Sequence, residues 1–287
     1  MSQHKEQQGF ITFAINTEDT DYLELAYLQA LNIKATQKNN SYAVIVDNKT
    51  KELINEKHRA VFDYILDLPV DYNARNTGSN FENEWRVFWL TPFKETIKLE
   101  SDLLFTRSID HWWTAFRLKD VCLSYHARDY QDTLSGVRKY RELFDANQLP
   151  DVYNGLMYFR YSQTAHKFFE VARYIQQEWA HVSTHLKKCF EEQPSTDVLY
   201  GLTALMVGEE ICTMPSMDFL NFVHMKPGFN NWSDNRSWLD TVMSERDGDM
   251  IRINNLNQYN PVHYFDKSYA TQELIEYYES RRKTVLG

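Results

Sequence analysis

Within the first hundred residues, two kinds of apolar pattern alternate. Residues 10–15, 42–46 and 96–99 read as short buried strands. Between the first two, residues 22–35 carry Leu23, Ala26, Tyr27, Ala30 and Leu31 at helical spacing. Residues 57–66 read as a second helix that Pro69 ends, and residues 84–90 as a third. Strand, helix, strand, helix, strand is the pattern of an α/β layer with parallel strands. Ligands of such sheets gather beyond the carboxyl ends of the strands. Three sets of polar residues stand at those ends: Asn16 and Thr17, then Asp47, then Glu100 and Asp102.

The last set is the most telling. Residues 96–99 run straight into Glu100 and Asp102, and apolar residues resume at Leu103. Residues two apart on an extended chain share a side, so the two carboxylates stand together inside apolar surroundings, where an unpaired charge is costly. Two such groups side by side suit a hard divalent cation. An isolated acid-x-acid is more often a strand end whose carboxylates reach solvent, but three polar strand ends in agreement favour a site.

With 287 residues, no repeat and no low-complexity linker, the chain reads as one continuous domain. Its net charge of -9 argues against a surface that is basic all over, while leaving room for a local basic groove. Aromatic residues reach 15%, enough both for cores and for faces that stack on sugars or bases. Cys122, Cys189 and Cys212 lie far apart without any C-x-x-C spacing, which points to a reducing compartment and no structural zinc. The amino terminus is polar and carries no signal peptide, and no apolar run is long enough to span a membrane. A soluble, cytoplasmic protein with no membrane partner is expected.

The remainder predicts a mixed half. Residues 108–116 read as a short helix, 121–125 as a strand, 149–155 as a loop and 156–161 as a strand. Long helices are expected over 164–190 and over 196–212, the latter capped by Ser195 or Thr196 with Asp197 in its first turn. Further strands are expected over 219–225, 251–254 and 259–265, and a final helix over 269–283.

A strand closing on an acid-x-acid pair, after an α/β half and before a mixed half, resembles the nucleotide-sugar glycosyltransferases of the GT-A type. Leu99-Glu100-Ser101-Asp102-Leu103 stands where that family has an apolar-Asp-x-Asp-apolar motif, with Glu in the first acidic place. Asn260-Pro-Val-His263-Tyr-Phe-Asp-Lys267 resembles the late His and following base of many members. The runs Pro92-Phe-Lys-Glu-Thr-Ile-Lys-Leu-Glu-x-Asp102, Leu149-Pro-Asp-x-Tyr-Asn154 and Val223-His-Met-Lys226 are similar to glycosyltransferase-like proteins of tailed phages.

The resemblance implies a single GT-A-like (Rossmann-type) α/β domain with a mixed, mainly parallel central sheet flanked by helices. Residues 1–105 would form the nucleotide-sugar-binding half and residues 106–287 the acceptor half. It implies Mn²⁺ or Mg²⁺ on Glu100, Asp102 and His263, with Lys267 meeting the leaving diphosphate of a nucleotide sugar, UDP-sugars foremost. Asn16, Thr17 and Asp47 are then placed to meet base and ribose, although turn and cap chemistry explains each equally well. Asn154-Gly155 would bring backbone close to the donor sugar, or else form a turn before a strand. Asp197 would face the acceptor as general base or nucleophile, with Glu209 and Glu210 as rival candidates and a plain helix cap as the alternative. The acceptor implied by the phage resemblance is 5-hydroxymethylcytosine in double-stranded DNA, receiving a hexose or a pentose such as arabinose. Arg138, Lys139, Arg141, His224, Lys226 and Arg236, with Trp232 and Trp238, are the groups that would face it. A glycan or small-molecule acceptor is the alternative, and a non-catalytic nucleotide-binding protein the reading from another class.

Overall fold

A computed structural model describes residues 6–69, 82–134, 141–214, 220–227 and 236–286. The chain begins β1 (Glu6–Phe13), α1 (Tyr22–Thr36), β2 (Tyr42–Val46), α2 (Asn48–Glu52), α3 (Glu56–Arg59) and β3 (Tyr64–Asp67). Next come α4 (Val87–Leu90), β4 (Phe93–Leu99), β5 (Leu103–Leu104), α5 (Trp112–Phe116), β6 (Val121–Tyr125), α6 (Glu142–Asn147) and β7 (Val152–Arg160). Helices α7 (Gln163–Gln177), α8 (Trp179–Val182), α9 (Thr196–Val207) and α10 (Glu209–Cys212) follow. The last elements are β8 (Val223–His224), β9 (Ser244–Asp247), β10 (Met250–Ile253), β11 (Leu256–Gln258), β12 (Val262–His263) and α11 (Gln272–Leu286).

The central sheet runs β3-β2-β1-β4-β7-β6. Strands β3, β2, β1 and β4 are parallel, and β7 runs antiparallel to both of its neighbours, β4 and β6. The expected mixed, mainly parallel α/β sheet flanked by helices is therefore present. Every residue of β2 is buried. Tyr42, Val44 and Val46 join the apolar cluster beneath α1 and α11, while Ala43 and Ile45 join the one beneath α7 and α9. Burial on both faces is why β2 reads as an unbroken apolar run.

Several elements differ from the sequence expectation, each for a tertiary reason. Residues 57–66 do not form one helix: α3 is a single turn, and Tyr64–Asp67 pairs with β2 from Ala43↔Tyr64 to Val46↔Asp67. Strand pairing there overrides local propensity. The helix expected over 164–190 ends at Gln177, where the chain turns to bury Trp179, whose Nε1 donates to the Glu191 carbonyl at 3.1 Å. The helix expected over 196–212 breaks at Gly208, whose φ of +106° suits glycine. Residues 152–155, expected in a loop, belong to β7. The strands expected over 219–225 and 259–265 are only Val223–His224 and Val262–His263. An antiparallel meander of β9, β10 and β11 extends the single strand expected at 251–254.

The short sheet β5-β12-β8 matters most for position. His263 pairs across from Leu103 on one side and from His224 on the other. A late segment is thereby fastened beside the end of β4.

Candidate metal centre and its cleft

Glu100 and Asp102 lie beyond the end of β4, on the turn into β5 rather than on extended strand. The turn is held from two sides. Glu100 N–H donates to the Gly155 carbonyl at 3.0 Å. From below, the buried Gln29 of α1 donates Nε2 to the carbonyls of Glu100 and Leu103 at 2.6 and 2.9 Å, its own Oε1 accepting from Tyr42 OH at 2.8 Å. One helical turn on, Asn32 closes a two-way bridge with the Phe105 backbone, at 2.9 and 2.7 Å. Sequence reasoning passed over both amides. Their signal is two polar residues three apart on the otherwise apolar face of α1.

Into this turn β12 delivers His263. Its Nε2 lies 3.0 Å from Glu100 Oε2 and 3.0 Å from Asp102 Oδ2. One ligand atom from each of the three residues falls within 4.8 Å of the others. Lys267 sets its Nζ against the same Asp102 Oδ2. Burial alone would raise the Asp102 carboxyl, but His263 and Lys267 outweigh it and hold the group well below the usual carboxylate range. Burial would likewise lower His263, and the charges of Asp102 and Glu100, with their hydrogen bonds, instead raise it to about 9. His263 Nδ1 meets His224 Nδ1 at 2.8 Å. Burial, followed by the His263 charge, pushes His224 well below its ordinary value, which suits it to accept a hydrogen bond from His263 Nδ1.

This donor set fits a divalent cation. Two carboxylate oxygens and an imidazole nitrogen converge from separate elements, and the second imidazole nitrogen is engaged by an outer partner, as in metal-bound histidines. An ion there would take the place of the His263 Nε2 proton.

The centre forms one wall of a cleft of about 330 Å³. Asp197 and Asn154 stand on its wall as well, with Asp197 Oδ1 accepting from Asn154 N–H at 2.7 Å. Ser195 supplies the cap of α9, so Asp197 is released from capping. Burial raises the Asp197 carboxyl, Arg141 opposes, and the charge of Glu100 adds to the rise. Behind Asn154, its Nδ2 donates to Glu84 Oε2 at 2.7 Å, and the same oxygen accepts from the buried Lys98 Nζ at 2.6 Å. Neither Glu84 nor Lys98 was singled out from sequence, although a lysine inside a buried strand demands a carboxylate partner.

The remaining expected residues are distributed as follows. Gly155 lines the cleft, and the space of its missing Cβ belongs to the Phe222 ring, which would stand 2.6 Å away. Phe222 in turn lies edge-on to His224 and His263. Asn16, Thr17 and Asp47 do not line the cleft; their side chains shape local structure. Asn16 Oδ1 accepts from Leu23 N–H at the start of α1, Thr17 Oγ1 accepts from Thr20 N–H, and Asp47 caps α2. Ile15 and Tyr22, on either side of that turn, do line it. Glu209 and Glu210 open α10 and are not in the cleft wall.

Of the residues expected on an acceptor face, the described ones do not share one surface. Arg141 is buried, pairing with Asp151 at 2.7 Å and lying over the rings of Phe144 and Tyr153. Trp238 is wholly buried and donates Nε1 to the Tyr264 carbonyl at 2.6 Å. His224 and Lys226 do line the cleft, and Arg236 is exposed elsewhere. Arg138, Lys139 and Trp232 lie outside the described residues. No helix among the described residues is long and apolar enough to cross a membrane.

No protein-family model and no curated protein matches the sequence. Among solved structures the chain is similar to mouse xyloside xylosyltransferase 1 in its apo form, with a TM-score of 0.46 and 11% identity, covering 72% of this chain and 84% of that one. It is similar also to the glycosyltransferase GlyE of Streptococcus pneumoniae TIGR4, with a TM-score of 0.45 and 10% identity, covering 74% of this chain and 46% of that one. The apo form of GlyE gives a TM-score of 0.41.

Proposed function

We propose that the chain is a metal-dependent glycosyltransferase that moves a sugar from a nucleotide-sugar donor to a hydroxyl group. One observation carries this reading. Glu100, Asp102 and His263 gather their ligand atoms within 4.8 Å on the wall of a cleft that also holds Lys267 and Asp197.

Mn²⁺ or Mg²⁺ held by those three residues would neutralise charge on the diphosphate of the donor, a large contribution to leaving-group departure. Lys267 and Lys226, both on the cleft wall, meet the same phosphates as point charges. The nucleoside is assigned to the stretch from Thr12 to Tyr22. There Ile15 and Tyr22 present apolar and aromatic surface, while Asn16 and Thr17 hold the turn between them and Asp47 caps α2. The transferred sugar falls to Asn154 and Gly155. Asp197, its Oδ1 fixed by Asn154 N–H and its carboxyl raised, takes the proton of the acceptor hydroxyl at Oδ2.

For the acceptor, hydroxymethylated pyrimidine in DNA remains the proposal that the sequence resemblance supports, and a glycan or small molecule is the second reading. The second gains from the burial of Arg141 and Trp238, which removes two of the groups meant for a nucleic-acid face.

The test is hydrolysis and transfer with a panel of nucleotide sugars in the presence of Mn²⁺. Donor turnover that Asp102→Asn abolishes is expected, and no turnover of any donor sinks the proposal. Salt-sensitive binding of hydroxymethylcytosine DNA separates the two acceptors, since phosphate contacts weaken steeply with salt.

A further inference from the structure

Lys267 touches more than a passing partner. Its Nζ sits against Asp102 Oδ2, the oxygen that also lies 3.0 Å from His263 Nε2 and so points into the middle of the ligand set. A Mg²⁺ or Mn²⁺ ion binds a carboxylate oxygen at about 2.1 Å. An ammonium held on that same oxygen then faces a doubly charged neighbour at close range, in surroundings of low dielectric. The two cations would repel one another at Asp102.

We infer that Lys267 competes with the divalent ion for Asp102, so that this side chain sets the affinity of the centre, and that ion binding turns its ammonium out over the cleft. The inference rests on the metal-dependent reading above. The side chain has somewhere to go. It is 32% exposed, and its Nζ already lies 5.3 Å from the Phe265 ring centre and 5.9 Å from that of Tyr22. Both rings line the cleft and offer faces that attract a cation. A flexible four-carbon stem allows the swing without movement of the backbone. Released from Asp102, the ammonium stands on the cleft wall where a diphosphate would lie, so that loading of the ion and readiness for the donor become one event.

Two measurements on the full chain test this. The first is Mn²⁺ binding by electron paramagnetic resonance, after chelator treatment, for the parent, Lys267→Met, Lys267→Arg and Asp102→Asn. Lys267→Met is expected to bind roughly tenfold more tightly, Lys267→Arg about as the parent does, and Asp102→Asn to lose binding. Parental binding with Lys267→Met unchanged or weaker overturns the competition and leaves the metal centre standing. Absence of Mn²⁺ binding in both the parent and Lys267→Met overturns the metal reading and the competition together.

The second measurement separates displacement from mere repulsion at a distance. Lys267 is labelled by reductive methylation with and without Mg²⁺ and quantified by mass spectrometry. Displacement predicts several-fold more label with Mg²⁺ in the parent, and high, Mg²⁺-independent label in Asp102→Asn. Label that stays level or falls with Mg²⁺ shows that Lys267 keeps its hold on Asp102 and overturns the inference.

Discussion

His224 and His263 meet nitrogen to nitrogen, Nδ1 to Nδ1 at 2.8 Å, with ring planes only 5° apart. With Nδ1 of His263 engaged by His224, its Nε2 is the nitrogen that faces the carboxylates. Outer partners of this kind govern ligand orientation, and their loss typically weakens metal binding by about 10- to 100-fold. His224→Phe is expected to weaken Mn²⁺ binding by about that factor, while His224→Asn, which keeps an acceptor, recovers part of it. Equal binding by His224→Phe and the parent, measured by electron paramagnetic resonance, would remove His224 from the centre.

The ion pair between Lys98 and Glu84, at 2.6 Å, is shielded from solvent on both sides. Removing one member strands the other. Lys98→Met is expected to destabilise the fold by about 3–5 kcal/mol, and Lys98→Met with Glu84→Gln to recover most of that loss. Urea unfolding of both variants is the check, and additive losses in the double variant would contradict the pairing.

Gly155→Ala places a methyl group where the Phe222 ring already stands, 2.6 Å from the new Cβ. The ring must shift, and with it the support of His224 and His263. A loss of about 1–3 kcal/mol is expected, as for other overpacked cores. Gly155→Ala with Phe222→Leu is expected to restore stability, measured by the urea midpoint.

Acid stability has a local origin at Glu95. Burial raises its carboxyl, but hydrogen bonds from Gln8, Arg117 and Gln7 outweigh that and hold it below its ordinary value. A folded value below the unfolded one means that the contribution is complete above the unfolded value of about 4.3 and is lost as pH falls through the folded one. The urea midpoint of the parent should therefore fall more steeply below about pH 4.3 than that of Glu95→Gln. Parallel curves would show that Glu95 titrates alike in both states.

What could be read from sequence follows from where information is local. Tyr42–Val46 was legible because both faces of that strand are buried, so composition alone marks it. The acidic pair was legible because charge stands out against an apolar run, and His263 and Lys267 only because a resemblance to a family with a late His and following base tied them to it. Tyr64–Asp67 was not legible: its strand character comes from pairing with β2, not from its own residues. The loop expected over 149–155 is strand from Val152 on: Asn154 and Gly155 lie at an irregularity in the β6–β7 register, where the Gly155 carbonyl accepts from Glu100 N–H at 3.0 Å, a contact no local pattern announces. Gln29 and Asn32 escaped notice because an amide on an apolar face has no meaning until the turn it holds is known.

The narrow sheet β5-β12-β8 joins Leu103 to His263 across most of the chain. Contacts so distant in sequence close late in folding, because the loop between them must first be gathered in. The gathering of the three residues is therefore a property of the finished molecule. A nascent or partly unfolded chain carries both acids yet lacks the imidazole beside them, so on the proposed reading the affinity for a divalent ion would arise only with the completed fold.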